Sequence, residues 1–315
     1  MTTAIEVEDL SKSYGDLRAV DGVSFSVEPG EVFAILGPNG AGKSTTVEIL
    51  EGHRRRDSGR VSVLGVDPSE GGRAFRNRIG IVLQEAGVDK ELTVRETLDL
   101  YSTAYTRRRS IDEVIEMVEL ADKLDERISR LSGGQQRRVD LALGVIGTPD
   151  VLFLDEPTSG VDPVARDAFW RLLIELSRRD RVTVFISTHF MNEAERCDRM
   201  SMMHAGKVLD SDVPARLVEK RGAKTLEEAF IGYLIEAEGG TATPPSQPEA
   251  AHHEEQPSAA PAEHGGHRSG GFSLQRMFSY LWRETLELQR DPVRATLALG
   301  GSLLLMFVIG FGITM

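Results

Sequence analysis

This chain of 315 residues has a single cysteine and fewer basic than acidic residues. Its one cysteine, Cys197, excludes an internal disulfide and fits a reducing cytosol, where it is expected to pack rather than to react. The formal net charge of −12 disfavours a general nucleic-acid binder, which needs a positive field facing the phosphates. The first residues are polar and lack the pattern of a secretory signal. These absences favour a cytoplasmic body with an ordinary globular core.

The first of three zones, residues 1–238, has the pattern of an α/β fold. Short apolar runs at 32–36, 151–154 and 182–186 predict buried strands. Such unbroken runs are typical of a parallel sheet that is covered on both faces. The sequence therefore predicts one large α/β domain over residues 1–238.

Between about residues 88 and 147 the pattern becomes helical. Ile111, Val114 and Ile115 recur at helical spacing, while the acidic side chains between them lie on the other face. The sequence therefore predicts a helical subdomain, at about 88–147, inserted into the α/β core.

Residues 239–271 are rich in Pro, Ala, Ser, Gly, Glu and His and hold hardly a large apolar side chain. Such a segment cannot bury enough surface to offset its ordering entropy, so the sequence predicts a disordered linker. The histidines of this segment, which a metal could use, are His252, His253, His264 and His267. No rigid element would fix their geometry, and a low-complexity linker is the favoured interpretation.

The last zone combines an amphipathic stretch with a long uncharged run. Residues 272–292 mix Phe, Leu, Met and Trp with Arg and Glu, which predicts an amphipathic helix. Residues 293–315 predict a transmembrane helix, because about 20 uncharged residues match a bilayer core. A buried helix of a soluble domain is the alternative. Arginines precede the run and place the N-terminal body in the cytoplasm. One span is a poor pathway for a solute, which leaves open that the sequence is a fragment reaching into a permease.

A glycine-rich string follows the first apolar run and precedes a helical stretch that starts near Lys43. It fits the P-loop pattern GxxxxGK[ST] and consists of Gly37, Pro38, Asn39, Gly40, Ala41, Gly42, Lys43, Ser44 and Thr45. Its glycines let backbone N–H groups turn toward phosphates, and the helix N-terminus adds its positive end. Lys43 is expected to reach the β- and γ-phosphates, and the Ser44 hydroxyl to bind Mg²⁺. The string therefore predicts an ATP site.

The apolar run 151–154 ends in two carboxylates, Asp155 and Glu156. A strand followed by Asp-Glu usually marks a solvated strand end, but downstream of a P-loop it predicts part of the same site. Asp155 is expected to hold Mg²⁺ through water, and Glu156 to orient and polarise the attacking water.

A five-residue string, Leu131, Ser132, Gly133, Gly134 and Gln135, lies between these motifs. Through it the chain resembles the ABC ATPase family, and the resemblance covers most of residues 5–210. It implies a P-loop NTPase fold with a mostly parallel sheet, an antiparallel β subdomain and the inserted helical subdomain. It also implies that this signature opens a helix and binds the γ-phosphate of ATP held by a second ABC ATPase domain.

The same resemblance assigns roles to further residues. Tyr14 stands where the family stacks an aromatic ring on adenine, with an ordinary strand tyrosine as the alternative. Gln84 matches the glutamine that touches Mg²⁺ and senses the membrane subunit. The D-loop string is Ser159, Gly160, Val161 and Asp162, with Val161 in place of the usual leucine. His189 matches the switch histidine, so Lys43, Glu156 and His189 form the expected catalytic set.

Two further strings, residues 51–56 and 226–230, are similar to the drug-exporter branch of the family, which pairs with ABC-2 type permeases. The tail at 278–315 is similar to the start of the permease half of ribosome-associated ATPase/permease proteins. Together they predict an ATPase that drives export at the cytoplasmic face of the cell membrane. The alternative is a ribosome-associated ABC ATPase whose nucleotide state gates macromolecular binding. A regulator without turnover is disfavoured, because the catalytic set is complete.

Overall fold

The computed structural model describes residues 3–82 and 87–238. Its strands are β1 (Ile5–Tyr14), β2 (Leu17–Val27), β3 (Val32–Leu36), β4 (Ser58–Val63), β5 (Ile79–Val82), β6 (Val151–Asp155), β7 (Thr183–Thr188), β8 (Arg199–His204) and β9 (Lys207–Asp212). Its helices are α1 (Lys43–Leu50), α2 (Arg73–Arg76), α3 (Val94–Ser102), α4 (Ile111–Met117), α5 (Gly133–Val145), α6 (Pro163–Asp180), α7 (Met191–Ala194), α8 (Pro214–Arg221) and α9 (Leu226–Ala237). Among these residues, no helix combines the length and the apolar character that a membrane span requires. The linker, the amphipathic helix and the transmembrane helix predicted over 239–315 lie outside the described residues.

The main sheet has six strands in the order β5-β6-β7-β3-β8-β9. The pairs from β5 to β8 are parallel, whereas β9 runs antiparallel to β8. The pairing aligns Leu36 at the end of β3 with Thr188 in β7, and Asp155 at the end of β6 with Ser187. The segments that follow these strands therefore meet at one edge of the sheet, which is where α/β folds bind ligands.

Both faces of this sheet are covered, which explains the unbroken apolar runs of its strands. In β3, Val32, Ala34 and Leu36 pack into a core that also contains side chains of α3 to α6. Phe33 and Ile35 pack into a second core with side chains of α1, β1, β2 and β4. The runs predicted as strands are confirmed as β3, β6 and β7, with β7 shifted toward its C-terminus.

A second sheet has three antiparallel strands in the order β2-β1-β4. The inward residues of β1, such as Ile5, Val7 and Leu10, are buried, while its last residues become exposed. This alternation is typical of a sheet with one covered face. Because β1 ends at Tyr14, the sheet carries that ring to the same edge of the molecule as the end of β3.

Helices α3, α4 and α5 lie within the range 88–147 that the sequence predicts as helical. Helix α4 begins after Ser110, whose hydroxyl accepts a hydrogen bond from the Glu113 N–H. Val114 and Ile115 face the core, as their spacing predicts. Helix α5 approaches β5 closely, since a Cβ on Gly80 would lie 2.1 Å from the carbonyl oxygen of Gly144.

Candidate functional site

The string predicted as a P-loop connects β3 to α1 and is held by backbone contacts. The Gly37 N–H donates to the carbonyl oxygen of Thr188 over 3.2 Å, which fixes the loop to β7. A Cβ on Gly37 would lie 2.3 Å from the carbonyl oxygen of Met203. At Gly42, where φ is +100°, a Cβ would lie 2.3 Å from the carbonyl oxygen of Ala19. These two positions therefore require glycine, for space at the first and for both space and conformation at the second.

Helix α1 starts at Lys43 and has no side-chain cap at its N-terminus. The N–H groups of a first turn have no partner within their own helix, so they are available to an anion. The Lys43 side chain is 4 % exposed. Its Nζ donates to the carbonyl oxygens of Gly37 and Pro38 over 2.9 and 3.1 Å. The loop thus holds a buried ammonium group beside the helix N-terminus, an arrangement suited to phosphate.

Asp155 and Ser44 meet where β6 ends and α1 begins. The Ser44 hydroxyl donates to Asp155 Oδ1 over 3.3 Å, across a sequence separation of 111. The Ser187 hydroxyl donates to the same oxygen. A carboxylate and a hydroxyl beside a phosphate site are the oxygen ligands that Mg²⁺ prefers. Two of the three residues predicted to bind Mg²⁺ are therefore together, and the third, Gln84, lies outside the described residues.

Glu156 lies between the two other residues of the predicted catalytic set. Its Oε1 is 3.4 Å from Lys43 Nζ and its Oε2 is 3.2 Å from His189 Nδ1. The second contact is within ion-pair distance but is not aligned as a hydrogen bond. The Glu156 backbone has φ +44°, and its N–H donates to the carbonyl and hydroxyl oxygens of Ser187 at 3.1 and 3.2 Å. A left-handed non-glycine residue costs about 1 kcal/mol or more, which these bonds to β7 offset.

Tyr14 borders a cavity of about 550 Å³ at the P-loop. The cavity is also lined by Leu17, Arg18, Ala19, Asn39, Gly40, Gly42, Lys43, Ser44, Thr45, Glu156 and Ala205. The Tyr14 side chain is 39 % exposed. Lys12 Nζ and Arg54 Cζ lie 5.6 and 5.2 Å from its ring centroid. Both cations are also ion-paired, Lys12 with Asp57 and Arg54 with Glu48. An exposed ring at the rim of this cavity can stack a base.

The signature string opens α5, as the resemblance implies. The Ser132 hydroxyl accepts from the Gln135 N–H over 3.3 Å, and Gln135 Oε1 accepts from the Ser132 N–H over 2.9 Å. Leu131 is buried in the core. A Cβ on Gly134 would lie 2.6 Å from the Cβ of Ala165, so this glycine lets α5 approach α6.

The structure does not bring the signature to the P-loop of its own chain. None of the signature residues lines the cavity at the P-loop. Gly133 instead borders another cavity, of about 440 Å³, together with Ser159, Gly160 and Val161 of the D-loop. The last D-loop residue, Asp162, caps α6 by accepting from the N–H groups of Val164 and Ala165 at 3.1 and 3.0 Å. The signature and the D-loop therefore border one cavity, which is separate from the cavity at the P-loop.

Some residues that shape the site were not predicted from the sequence. Ser187 holds both Asp155 and the Glu156 backbone, and its hydroxyl in a buried strand shortly before His189 was an available signal. Ala19 and Met203 confine the P-loop through backbone oxygens, for which no side-chain pattern exists.

Comparison with known proteins places this site in a family. The family model for the ABC transporter matches residues 20–159. The Nod factor export ATP-binding protein I of Burkholderia pseudomallei (strain K96243) is 41 % identical over 221 residues, which are 68 % of this chain and 72 % of that protein. The protein of the same name from Rhizobium meliloti (strain 1021) is 43 % identical over 233 residues, covering 72 % and 69 %.

Solved structures agree with these relatives. The ATP-binding subunit of an ABC transporter matches with a TM-score of 0.65 and 28 % identity, over 74 % of this chain and all 100 % of that one. A dimeric ATP-binding cassette in a post-hydrolysis state with ADP and Pi matches with a TM-score of 0.60 and 26 % identity, over 66 % and 98 %. The chain belongs to the ABC transporter family, in which it is a nucleotide-binding subunit with ATPase activity.

Proposed function

We propose that this subunit drives export through an ABC-2 type permease at the cytoplasmic face of the cell membrane, as one of a pair of ATPase domains. Its relatives are named for the export of Nod factor, which supports export as the direction of transport. The position of Glu156 carries the catalytic part of the proposal, because one carboxylate contacts both Lys43 and His189 beside the P-loop.

The residues predicted from the motifs divide the proposed reaction among them. The P-loop N–H groups and Lys43 bind the phosphates, and Tyr14 stacks the adenine. Ser44 and Asp155 would hold Mg²⁺, which would supply positive charge beside the phosphates. Glu156 orients the attacking water and accepts its proton.

His189 completes the catalytic set as the residue that contacts the γ-phosphate. In the structure, His189 and Lys43 contact different oxygens of the Glu156 carboxylate. His189 therefore lies near the phosphate that Lys43 would hold. Positioning groups of this kind lower the barrier by removing orientational freedom before the reaction.

A pair of domains is needed because the signature lies apart from the P-loop cavity of its own chain. Ser132 and Gln135 cap each other's backbone at the start of α5, and Gly133 there borders the same cavity as the D-loop. A helix of 13 residues can offer its N-terminal N–H groups to the γ-phosphate of a second domain's ATP. Hydrolysis then requires that two domains close on each nucleotide.

Two substitutions test the catalytic role of Glu156 and the role of the signature. Glu156→Gln should retain ATP binding and lose turnover by at least about a hundredfold, the contribution of a general base. Ser132→Arg should also lose turnover while binding ATP, because it blocks the signature rather than the P-loop. Glu175→Gln, an exposed carboxylate on α6, is the matched control and should keep the wild-type rate.

A mixture of the two variants distinguishes action in trans from action in cis. Each mixed pair would contain one complete site, made of the Ser132→Arg chain's Glu156 and the other chain's signature. An equal mixture should therefore regain about a quarter of the wild-type rate. If the mixture stays inactive, the signature does not act on a second copy. Co-sedimentation of the full chain with ribosomes rather than with membranes would overturn the export part.

A further inference from the structure

A buried carboxylate lies behind the catalytic set and has no role in the proposed reaction. Glu193, on α7, is 1 % exposed. The Thr158 hydroxyl donates to its Oε1, and the Thr188 hydroxyl donates to its Oε2 over 2.6 Å. Arg166 Nε lies 3.9 Å from Oε1. Burying a carboxylate costs several kcal/mol, and a distant cation with two hydroxyls offsets that poorly, so stability alone does not explain this residue.

The two threonines flank the two residues that matter for hydrolysis. Thr188 immediately precedes His189, and Thr158 lies two residues after Glu156. The pairing of β6 with β7 ends at Asp155, so it does not reach these loops. Glu156 itself contacts Ser187 and His189 across this gap. The carboxylate of Glu193 adds a second connection, which joins both loops through hydroxyl groups of short, stiff side chains.

The loop that carries His189 is fixed by the same bonds. Thr188 Oγ1, while donating to the carboxylate, accepts from the Phe190 N–H over 3.0 Å and so closes a turn around His189. The rings of His189 and Phe190 lie with their centroids 4.0 Å apart. A shift of Thr188 would therefore move the imidazole as well.

The D-loop is connected to this arrangement by Arg166. Its Nη2 donates to the carbonyl oxygen of Val161 over 3.2 Å, and its Cζ lies 4.8 Å from the centroid of the Phe190 ring. The Val161 N–H in turn donates to the carbonyl oxygen of Thr158 over 3.1 Å. Arg166 thus connects the D-loop to the turn around His189, and Thr158 connects the D-loop to the carboxylate of Glu193.

We propose that Glu193 is a positioning residue for ATP hydrolysis. By bridging Thr158 and Thr188 it sets the placement of His189 relative to Glu156, and it transmits the position of the D-loop to that pair. The inference rests on the proposed function, which assigns those two residues to the reaction. Glu193 touches neither of the reacting groups, so its effect must appear in kcat rather than in ATP binding.

A double-mutant cycle on the two threonines tests the bridge. Thr158→Val and Thr188→Val each replace one hydroxyl by a methyl group. Each should lower kcat about tenfold, or about 1.4 kcal/mol in the barrier, and leave KM for ATP within about twofold. Because breaking either end removes the bridge, the double variant should lose no more than about thirtyfold, well short of the hundredfold product. Glu193→Leu, which removes both acceptor oxygens, should match the double variant.

Glu195→Leu is the matched control, since Glu195 directly follows the same helix with an exposed side chain and should keep the wild-type kcat. Unchanged kcat in both threonine variants, or a loss in the double variant equal to the product, would overturn the bridge. A rise in KM with kcat retained would show a structural role only. If Glu193→Leu does not fold, the threonine cycle still decides.

The outcome is separable from that of the proposed function. Full turnover by Glu156→Gln would remove the proposed function. Additive or absent effects in the threonine variants, with Glu156→Gln still inactive, would remove the bridge alone.

Discussion

Replacing Glu51 by glutamine should stabilise the protein at neutral and alkaline pH and leave it unchanged in acid. Glu51 ends α1 with a side chain that is 5 % exposed. Burial raises the pKa of its carboxyl from 4.5 to about 8, and the negative charges of Asp155 and Glu48 add to the rise. The His53 ring nitrogen at 3.1 Å is its one close polar neighbour among the contacts of the described residues. The folded protein therefore holds Glu51 protonated at neutral pH, whereas the unfolded chain releases the proton.

The sign and size of the effect follow from this difference in pKa. Below pH 4.5 both states hold the proton, and Glu51 contributes no pH dependence. Between pH 4.5 and about 8 only the unfolded state releases it, so the free energy of unfolding falls as the pH rises. The slope is about 1.4 kcal/mol per pH unit, which makes the penalty of the order of 3 kcal/mol at pH 7. Above a pH of about 8 both states are ionised and the penalty is constant.

Glutamine has the size of the protonated acid and cannot ionise, so it removes this penalty. Urea unfolding of the nucleotide-free protein near pH 5, 7 and 8.5 measures the free energy of unfolding of both forms. The Glu51→Gln variant should gain about 2–3 kcal/mol at pH 7, somewhat more at the highest pH, and less than about 1 kcal/mol near pH 5.

A matched control is available on the same helix. Glu48 has a carboxylate that is 39 % exposed and ion-paired with Arg54. Glu48→Gln should lower the free energy of unfolding by less than about 1 kcal/mol, as expected for an exposed ion pair. A Glu51→Gln protein that is no more stable than wild type at pH 8.5, or whose gain is the same at every pH, would refute the reasoning.

Two further substitutions test the P-loop itself. Lys43→Ala should weaken the binding of ATP by about tenfold to a hundredfold, because charge-assisted hydrogen bonds to phosphate contribute about 1.5–3 kcal/mol. Calorimetry under conditions without turnover measures the affinity. Lys220→Ala, at an exposed lysine, is the control, and equal affinity in both variants would contradict the role of Lys43. Gly42→Ala should destabilise the nucleotide-free protein more than Gly40→Ala in urea unfolding. Both have positive φ, which costs about 1–2 kcal/mol, but only the Cβ at Gly42 would meet a backbone oxygen, at 2.3 Å. Equal losses would show that space around the loop is not limiting.

The main sheet and the loop between β3 and α1 could be predicted from sequence because their signals are local. The unbroken run 32–36 predicts a strand covered on both faces, and β3 has those bounds. The adjoining glycines and Lys43 have one well-known use in that context. The match at residues 20–159 and the relatives above confirm that the chain belongs to the ABC transporter family, as its motifs predicted.

The position of buried charges could not be predicted, because it depends on residues far apart in sequence. Glu51 stands among charged residues and has the local pattern of a solvated helix end, yet it is buried. Glu193 lies in an equally polar string, and its hydroxyl partner Thr158 is 35 positions away. Polar side chains in such strings usually face water, so only the assembled fold distinguishes these two from their exposed neighbours.

The contact between Gly134 of the signature and Ala165 of α6 could not be predicted from sequence either. In sequence, Gly134 is explained by the signature alone, but its lack of a side chain also lets α5 rest on Ala165 of α6. Helix α6 is capped by Asp162, the end of the D-loop, and the D-loop leads through Thr158 to Glu193. In the proposed dimer, a partner's ATP bound at the signature would therefore press on α6 and reach this chain's own Glu156 and His189 through packed groups. Coupling of ATP binding along this path would act equally in both directions, since a coupling free energy between two binding sites is reciprocal.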